Sequence, residues 1–167
     1  MKSIALCGVM GCGKTTVAKA LSKISTLSVI DTDEYIVEKE KLSITRIFEL
    51  YGEDYFRDKE YEAICELSHN HSCILALGGG AVTFDRNVRT LKENGYTIVF
   101  IDTDFNTIKE RLINDTSRPL LKTDEIEALY NKRYKLYKNA GDIIIKCKDE
   151  TSECIAMMIA KEMSEKA

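Results

Sequence analysis

One run near the start, Gly8-Val9-Met10-Gly11-Cys12-Gly13-Lys14-Thr15, constrains this chain more than any other stretch. It has the form G-x-x-x-x-G-K-[ST] and joins two segments of different character. Before it, Ile4, Ala5, Leu6 and Cys7 make an apolar run of strand character. After it, residues 16–21 are good helix formers, with Val17, Ala20 and Leu21 on one face. A strand, a glycine loop and a helix N-terminus in that order are the setting in which such a loop holds phosphate. Glycines let the backbone approach a ligand closely. The free N–H groups of the loop and the first helical turn then face inward, and the helix dipole adds positive potential. The residues that supply them are Gly11, Cys12, Gly13, Lys14, Thr15 and Thr16. Lys14 adds a full charge, and the Thr15 hydroxyl can ligate Mg²⁺. The predicted object is a cradle for the phosphates of a nucleotide.

The remaining chain offers enough material for one domain built on that loop. At 167 residues it can form a sheet with helices on both faces. Apolar residues make up 44% and charged residues 31%, which points away from disorder. Apolar runs are too short to cross a bilayer, and the chain enters its first strand at once, so neither a membrane span nor a signal peptide is expected. A net charge of −3 with no basic stripe argues against a nucleic-acid partner. A cytoplasmic monomer is expected. The six cysteines form no C-x-x-C pair and read as reduced packing residues. Cys12 carries two readings, a small residue filling a loop position and a thiol whose pKa is lowered by the helix N-terminus. His69 and His71 read as exposed loop residues rather than metal ligands.

Strands and helices alternate along the chain. Residues 27–30 form a second strand that ends in Asp31-Thr32-Asp33. Residues 34–70 are helical in composition, with a break at Gly52. Residues 73–77 make a buried strand that stops at Gly78-Gly79-Gly80. A helix over 85–94 stops at Gly95, and residues 97–101 form a fourth strand ending at Asp102. Further helices carry Ile108 and Leu112, span 124–139, and span 151–163, with a fifth strand over 142–145. This order predicts an α/β fold of three layers around a five-stranded parallel sheet. In such sheets ligands bind at the carboxyl ends of strands, where the loop, the two aspartates and the glycines converge.

Phosphoryl transfer needs a metal anchor, a positioned acceptor and cations around the transferred group. Asp31 is the preferred metal candidate beside Thr15, with Asp102 as a competitor. Asp33 has two readings, a proton acceptor and the cap of the next helix. Arg133 falls inside an apolar stripe of Ile126, Leu129, Tyr130, Leu136 and Tyr137, so an anion should face it. Arg57 and Glu60 are three residues apart on a helix, either a surface pair worth roughly 0.2–0.5 kcal/mol or an arginine held for a ligand. Arg118, before Pro119 in a polar segment, suits a lid over residues 113–122. Arg111 stands near the end of the preceding helix.

The pattern as a whole resembles shikimate kinase. The resemblance runs from Gly8 to about Gly141. It is carried by the glycine loop, Asp31-Thr32-Asp33, Ile47-Phe48 through Gly52-Glu53 to Phe56-Arg57 and Glu60, Leu77-Gly78-Gly79-Gly80-Ala81-Val82, Arg118-Pro119-Leu120-Leu121, and Arg133 with Tyr137 and Ala140. It implies a P-loop fold of the nucleoside monophosphate kinase group, and transfer of phosphate from ATP to shikimate on the route to aromatic amino acids. It implies Lys14 on the transferring phosphates, Thr15 and Asp31 holding Mg²⁺, and Asp33 as base and hydroxyl ligand. Arg57 and Arg133 would clamp the carboxylate, Glu60 would support Arg57, and Gly79 and Gly80 would approach the substrate. Arg118 would act from the lid and Arg111 would lie near the adenine. Residues 146–150 match none of the family's adenine-side contacts. A kinase for another anionic polyol, such as gluconate, and an inactive nucleotide-binding module are the alternatives.

Overall fold

A computed structural model describes residues 2–113 and 123–166. Its five strands are β1 (Ile4–Cys7), β2 (Ser28–Asp31), β3 (Cys73–Ala76), β4 (Thr97–Thr103) and β5 (Ile143–Cys147). All neighbouring pairs run parallel, in the order β2-β3-β1-β4-β5. The glycine loop therefore leaves the central strand. Every residue of β1 is buried, which is why its sequence is a continuous apolar run rather than an alternation. β5 lies at the edge and does alternate, with Ile144 and Lys146 turned to solvent.

Helices cover both faces. Ile4 and Leu6 point to the side where α1 (Lys14–Ile24) and α7 (Ser152–Glu165) pack, through Val17, Leu21, Ile155 and Ile159. Ala5 and Cys7 point the other way, towards Ile64 and Leu67 of α3 (Ile44–Ser68), Leu91 of α4 (Asp85–Glu93), Ile108 of α5 (Phe105–Ile113) and Tyr137 of α6 (Thr123–Ala140). A third, smaller core of Ile36, Ile47, Phe56 and Ala63 joins α2 (Thr32–Glu40) to α3. These two helices bear out the helical composition of residues 34–70 and form one side wall of a cleft.

Four details differ from expectation. The second strand ends at Asp31, and Thr32 and Asp33 already belong to the first turn of α2. The helical stretch has a second break at Lys41, which takes a left-handed conformation at φ 55. A short 3₁₀ turn, Ala81–Thr83, follows the three glycines. In α6, Leu136 is 40% exposed. At about 100° per residue, positions 126, 130, 133, 134 and 137 fall within an arc of roughly 100°, whereas 136 lies about 100° from the centre of that arc. Among the cysteines, Cys7, Cys12, Cys73 and Cys147 are buried as packing residues, and Cys154 is exposed. His69 and His71 are exposed, as expected.

At Gly52 the expected break is a kink within α3, at φ 82 and ψ 177. That region is open almost only to glycine. Nothing lies within 4 Å of where a Cβ would sit, so Gly52→Ala isolates the backbone term. The substitution should lower stability by about 1–3 kcal/mol in urea titration. An uninterrupted helix would respond with the opposite sign, gaining roughly 0.5–1 kcal/mol.

Candidate active site

The cradle forms as its glycines require. Gly13 caps α1 in a left-handed conformation, at φ 91. A Cβ on Gly8 would stand 2.9 Å from the Ile101 carbonyl, so the loop hugs the end of β4. The Lys14 ammonium lies back over the loop and donates to the carbonyls of Gly8 (2.8 Å) and Val9 (3.2 Å). Cys12 is buried in the core beneath, which favours its packing reading. Arg111, exposed on the last turn of α5, donates to the Gly11 carbonyl at 3.4 Å.

Asp31 links the cradle to the side wall. Its Oδ2 accepts from the Thr15 hydroxyl at 2.7 Å, and its Oδ1 accepts the N–H groups of Asp33 (3.0 Å) and Glu34 (3.3 Å). Asp31 is therefore the cap of α2, and the capping reading of Asp33 falls. The Asp33 side chain turns instead towards Gly78, where a Cβ would meet its Oδ1 at 2.5 Å and Glu60 Oε1 at 2.9 Å. Asp102 is engaged elsewhere, accepting from the Tyr134 hydroxyl at 3.0 Å, and does not line the cleft. Thr15 and Asp31 place two hard oxygen atoms together at the mouth of the cradle. That suits Mg²⁺, which takes one or two protein oxygens and completes its sphere with phosphate and water. Among the described residues no three His, Cys, Asp or Glu side chains gather into a metal cage.

The arginines lie across the cleft from the cradle. Arg57 is only 9% exposed and Glu60 fully buried, so their i,i+3 spacing is not the surface pair that spacing alone allows. Arg57 Nη1 donates to both Glu60 oxygens, at 3.2 and 3.1 Å, while Nε and Nη2 reach Glu53. Its guanidinium lies over the Phe56 and Phe84 rings, at 5.2 and 5.6 Å. Arg86 of α4 donates to the Arg57 carbonyl at 3.0 Å. Burial pushes the Glu60 carboxyl up, with Asp33 adding to the effect, while Arg57 and Arg133 pull it back. Arg133 donates to the Gly79 carbonyl at 3.3 Å, and the Tyr137 hydroxyl reaches the same oxygen at 2.5 Å. Gly80 is pressed against Arg57, whose Cζ would be 2.7 Å from a Cβ there. The sequence reading quoted Glu53 without giving it a role and passed over Phe84 and Arg86. The first has an i,i+4 spacing to Arg57 as a signal, whereas the other two arrive from a different helix and have none.

One cleft of about 1000 Å³ runs from the cradle to these arginines. Gly11, Gly13, Lys14, Thr15, Thr16, Asp31, Asp33, Arg57, Gly79, Gly80 and Arg133 all line it, whereas Cys12 and Arg111 do not. Arg118, with residues 114–122, lies outside the described residues. The geometry suits a phosphate donor at one end and an acidic acceptor at the other, with the Asp33 carboxylate between them. The ion pairs are testable by stability. Glu60→Ala leaves a buried guanidinium short of its main partner and should cost about 3–5 kcal/mol. Glu53→Ala removes a partner whose side chain is 61% exposed and should cost under about 1 kcal/mol. Equal urea midpoints for the two variants would contradict this ranking.

Known proteins point the same way. The family model described as shikimate kinase matches residues 10–164. The shikimate kinase of Clostridium botulinum (strain Loch Maree / Type A3) is 38% identical over 157 residues, covering 91% of this chain and 92% of its own. That of Bacillus cereus (strain G9842) is 45% identical over 132 residues, 79% of each chain. Among solved structures, the shikimate kinase from Acinetobacter baumannii in complex with shikimate superposes with a TM-score of 0.92 at 30% identity, over 99% of this chain and 94% of that one. A match that runs from inside the cradle to the last helix, with relatives aligned over 79% and 92% of their own length, means that this chain belongs to the shikimate kinase family.

Proposed function

We propose that this chain transfers the terminal phosphoryl group of ATP to shikimate, giving ADP and shikimate 3-phosphate. The observation that carries this reading is the pair of guanidinium groups, Arg57 and Arg133, lining the cleft opposite a phosphate cradle. Two arginines suit a carboxylate, because the planar fork binds it bidentately. Shikimate has one carboxylate and three hydroxyls, so anchoring the acid end turns the ring hydroxyls towards Asp33 and the cradle.

In this reading Lys14 leaves its loop carbonyls for the β- and γ-phosphates. Asp33 orients the acceptor hydroxyl and takes its proton as the oxygen–phosphorus bond forms and the bond to ADP breaks. Thr15 and Asp31 would hold Mg²⁺, which when bound draws charge from the phosphate oxygens. Gly79 and Gly80 let the backbone approach the ring. We assign Arg118 the part of a lid cation on the transferred group, and place Arg111 beside the adenine, on the resemblance alone. The protein is expected to work as a cytoplasmic monomer. No helix among the described residues is long and apolar enough to cross a membrane.

ADP release with shikimate present and absent is the direct test, and a gluconate arm separates the related polyol reaction. Lys14→Met should abolish turnover in a folded protein. Asp33→Asn is the sharper variant, because Asp31 caps α2 and the exchange leaves that cap intact. It should lower kcat by roughly 10²–10⁴ and weaken shikimate binding. Mg-ATP affinity should barely change, since Thr15 and Asp31 are untouched. Full turnover by Asp33→Asn would remove its role as base, and a large loss of Mg-ATP affinity would mean that Asp33, not Asp31, serves the metal.

A further inference from the structure

Thr32 stands between the two functional aspartates and is fully buried. Its hydroxyl accepts the Gly78 N–H at 2.9 Å and donates to the Ala76 carbonyl at 3.3 Å. These two partners have a specific meaning in the sheet. Asp31 pairs with Ala76 as the last rung between β2 and β3. Were the parallel ladder to continue, Thr32 would face Leu77 and bond through its own main chain to the Ala76 carbonyl and the Gly78 N–H. Thr32 instead turns into α2, and its carbonyl is committed to the helix, so it no longer faces the Gly78 N–H. Its side chain takes over the bond to the Gly78 N–H and adds a second donor to the Ala76 carbonyl. The hydroxyl thus supplies one more rung after the strand has ended.

That rung joins two parts of the site. On one side is the first turn of α2, which carries Asp33. On the other is the turn of Gly78, Gly79 and Gly80, against which Asp33, Arg133 and Arg57 respectively rest. A shift of Gly78 relative to α2 changes the spacing between the Asp33 carboxylate and the two guanidinium groups together. We infer that Thr32 is a positioning residue for the acceptor end of the cleft: its hydroxyl fixes the separation between Asp33 and the arginine clamp. This rests on the proposed reading of that end as the shikimate site. The cradle is held by other bonds, Thr15 to Asp31 and Lys14 to the loop, so nucleotide binding does not depend on the Thr32 hydroxyl.

Thr32→Val keeps the shape and removes the hydroxyl, and Thr32→Ser keeps the hydroxyl and removes the methyl. Thr32→Val should lower kcat/KM for shikimate by about tenfold or more, the size of a buried hydrogen-bonding group left unmatched. Its Kd for Mg-ATP should stay within about twofold of the parent, and Thr32→Ser should restore kcat/KM to within a few fold. In parallel, amide hydrogen exchange at Gly78, which needs no substrate, should accelerate in the Val variant and be normal in the Ser variant. Unchanged kcat/KM in folded Thr32→Val, an equal loss in Thr32→Ser, or a matching loss of Mg-ATP affinity would each overturn the inference. If Thr32→Val does not fold, Thr32→Ala is read by the same ratio. Collapse of both with Thr32→Ser intact would make the hydroxyl a requirement of the fold and refute a positioning role. A parent that releases no ADP with shikimate would sink the functional reading instead, and the Gly78 amide would still report on the link itself.

Discussion

Three adjacent parallel strands end at the same edge of the sheet, and each must exchange its ladder bonds for others as it leaves. This constraint shapes the site more than any single side chain. β1 solves it with the glycine loop, whose N–H groups are released for a ligand. β2 solves it with Asp31, which caps the helix that begins at once and also holds Thr15. β3 solves it with a glycine turn tied back to Thr32 and Tyr137. Groups that a strand end would otherwise leave without partners are thus converted into a binding surface, since buried backbone polar groups are seldom left unmatched.

Charge is handled differently at the two ends of the cleft. At the cradle the positive charge belongs to one lysine, resting on loop carbonyls, and to backbone dipoles. At the acceptor end it belongs to two arginines held by the protein. Arg57 is fixed by a buried carboxylate, by two aromatic rings and by its own helix, which Arg86 secures from α4. Arg133 donates to the neutral Gly79 carbonyl and lines the cleft. The raised carboxyl of Glu60 follows from this packing: burial disfavours its charge more than the arginines restore.

Much of this was legible in the sequence, for reasons that differ by residue. The glycine loop was legible because its chemistry is local, from residue 8 to residue 15. The strand order was not, because hydrophobic runs say which segments are strands and nothing about their neighbours. Gly52 was legible as a break, since glycine is the residue such a backbone needs, but Lys41 was not, since lysine carries no such mark. Arg57 and Glu60 have the same spacing whether exposed or buried. Only the tertiary contact with Gly78 and Gly80 decides that question. Asp31 and Asp33 were recognised as a pair, yet their division of labour depended on where the strand stopped, and helix boundaries are the least certain part of any sequence reading.

The attitude of Lys14 has a consequence for how a nucleotide meets this loop. Its ammonium already rests on the carbonyls of Gly8 and Val9. A free lysine side chain loses about 1.5–2 kcal/mol of rotational freedom on being fixed. Here that freedom is given up when the chain folds, before any phosphate arrives. The loop's own carbonyls act as a stand-in for the anion and keep the charge aimed into the cradle. What a nucleotide must then supply is only the difference between two neutral oxygens and charged ones, so the loop waits already cocked rather than searching for its ligand.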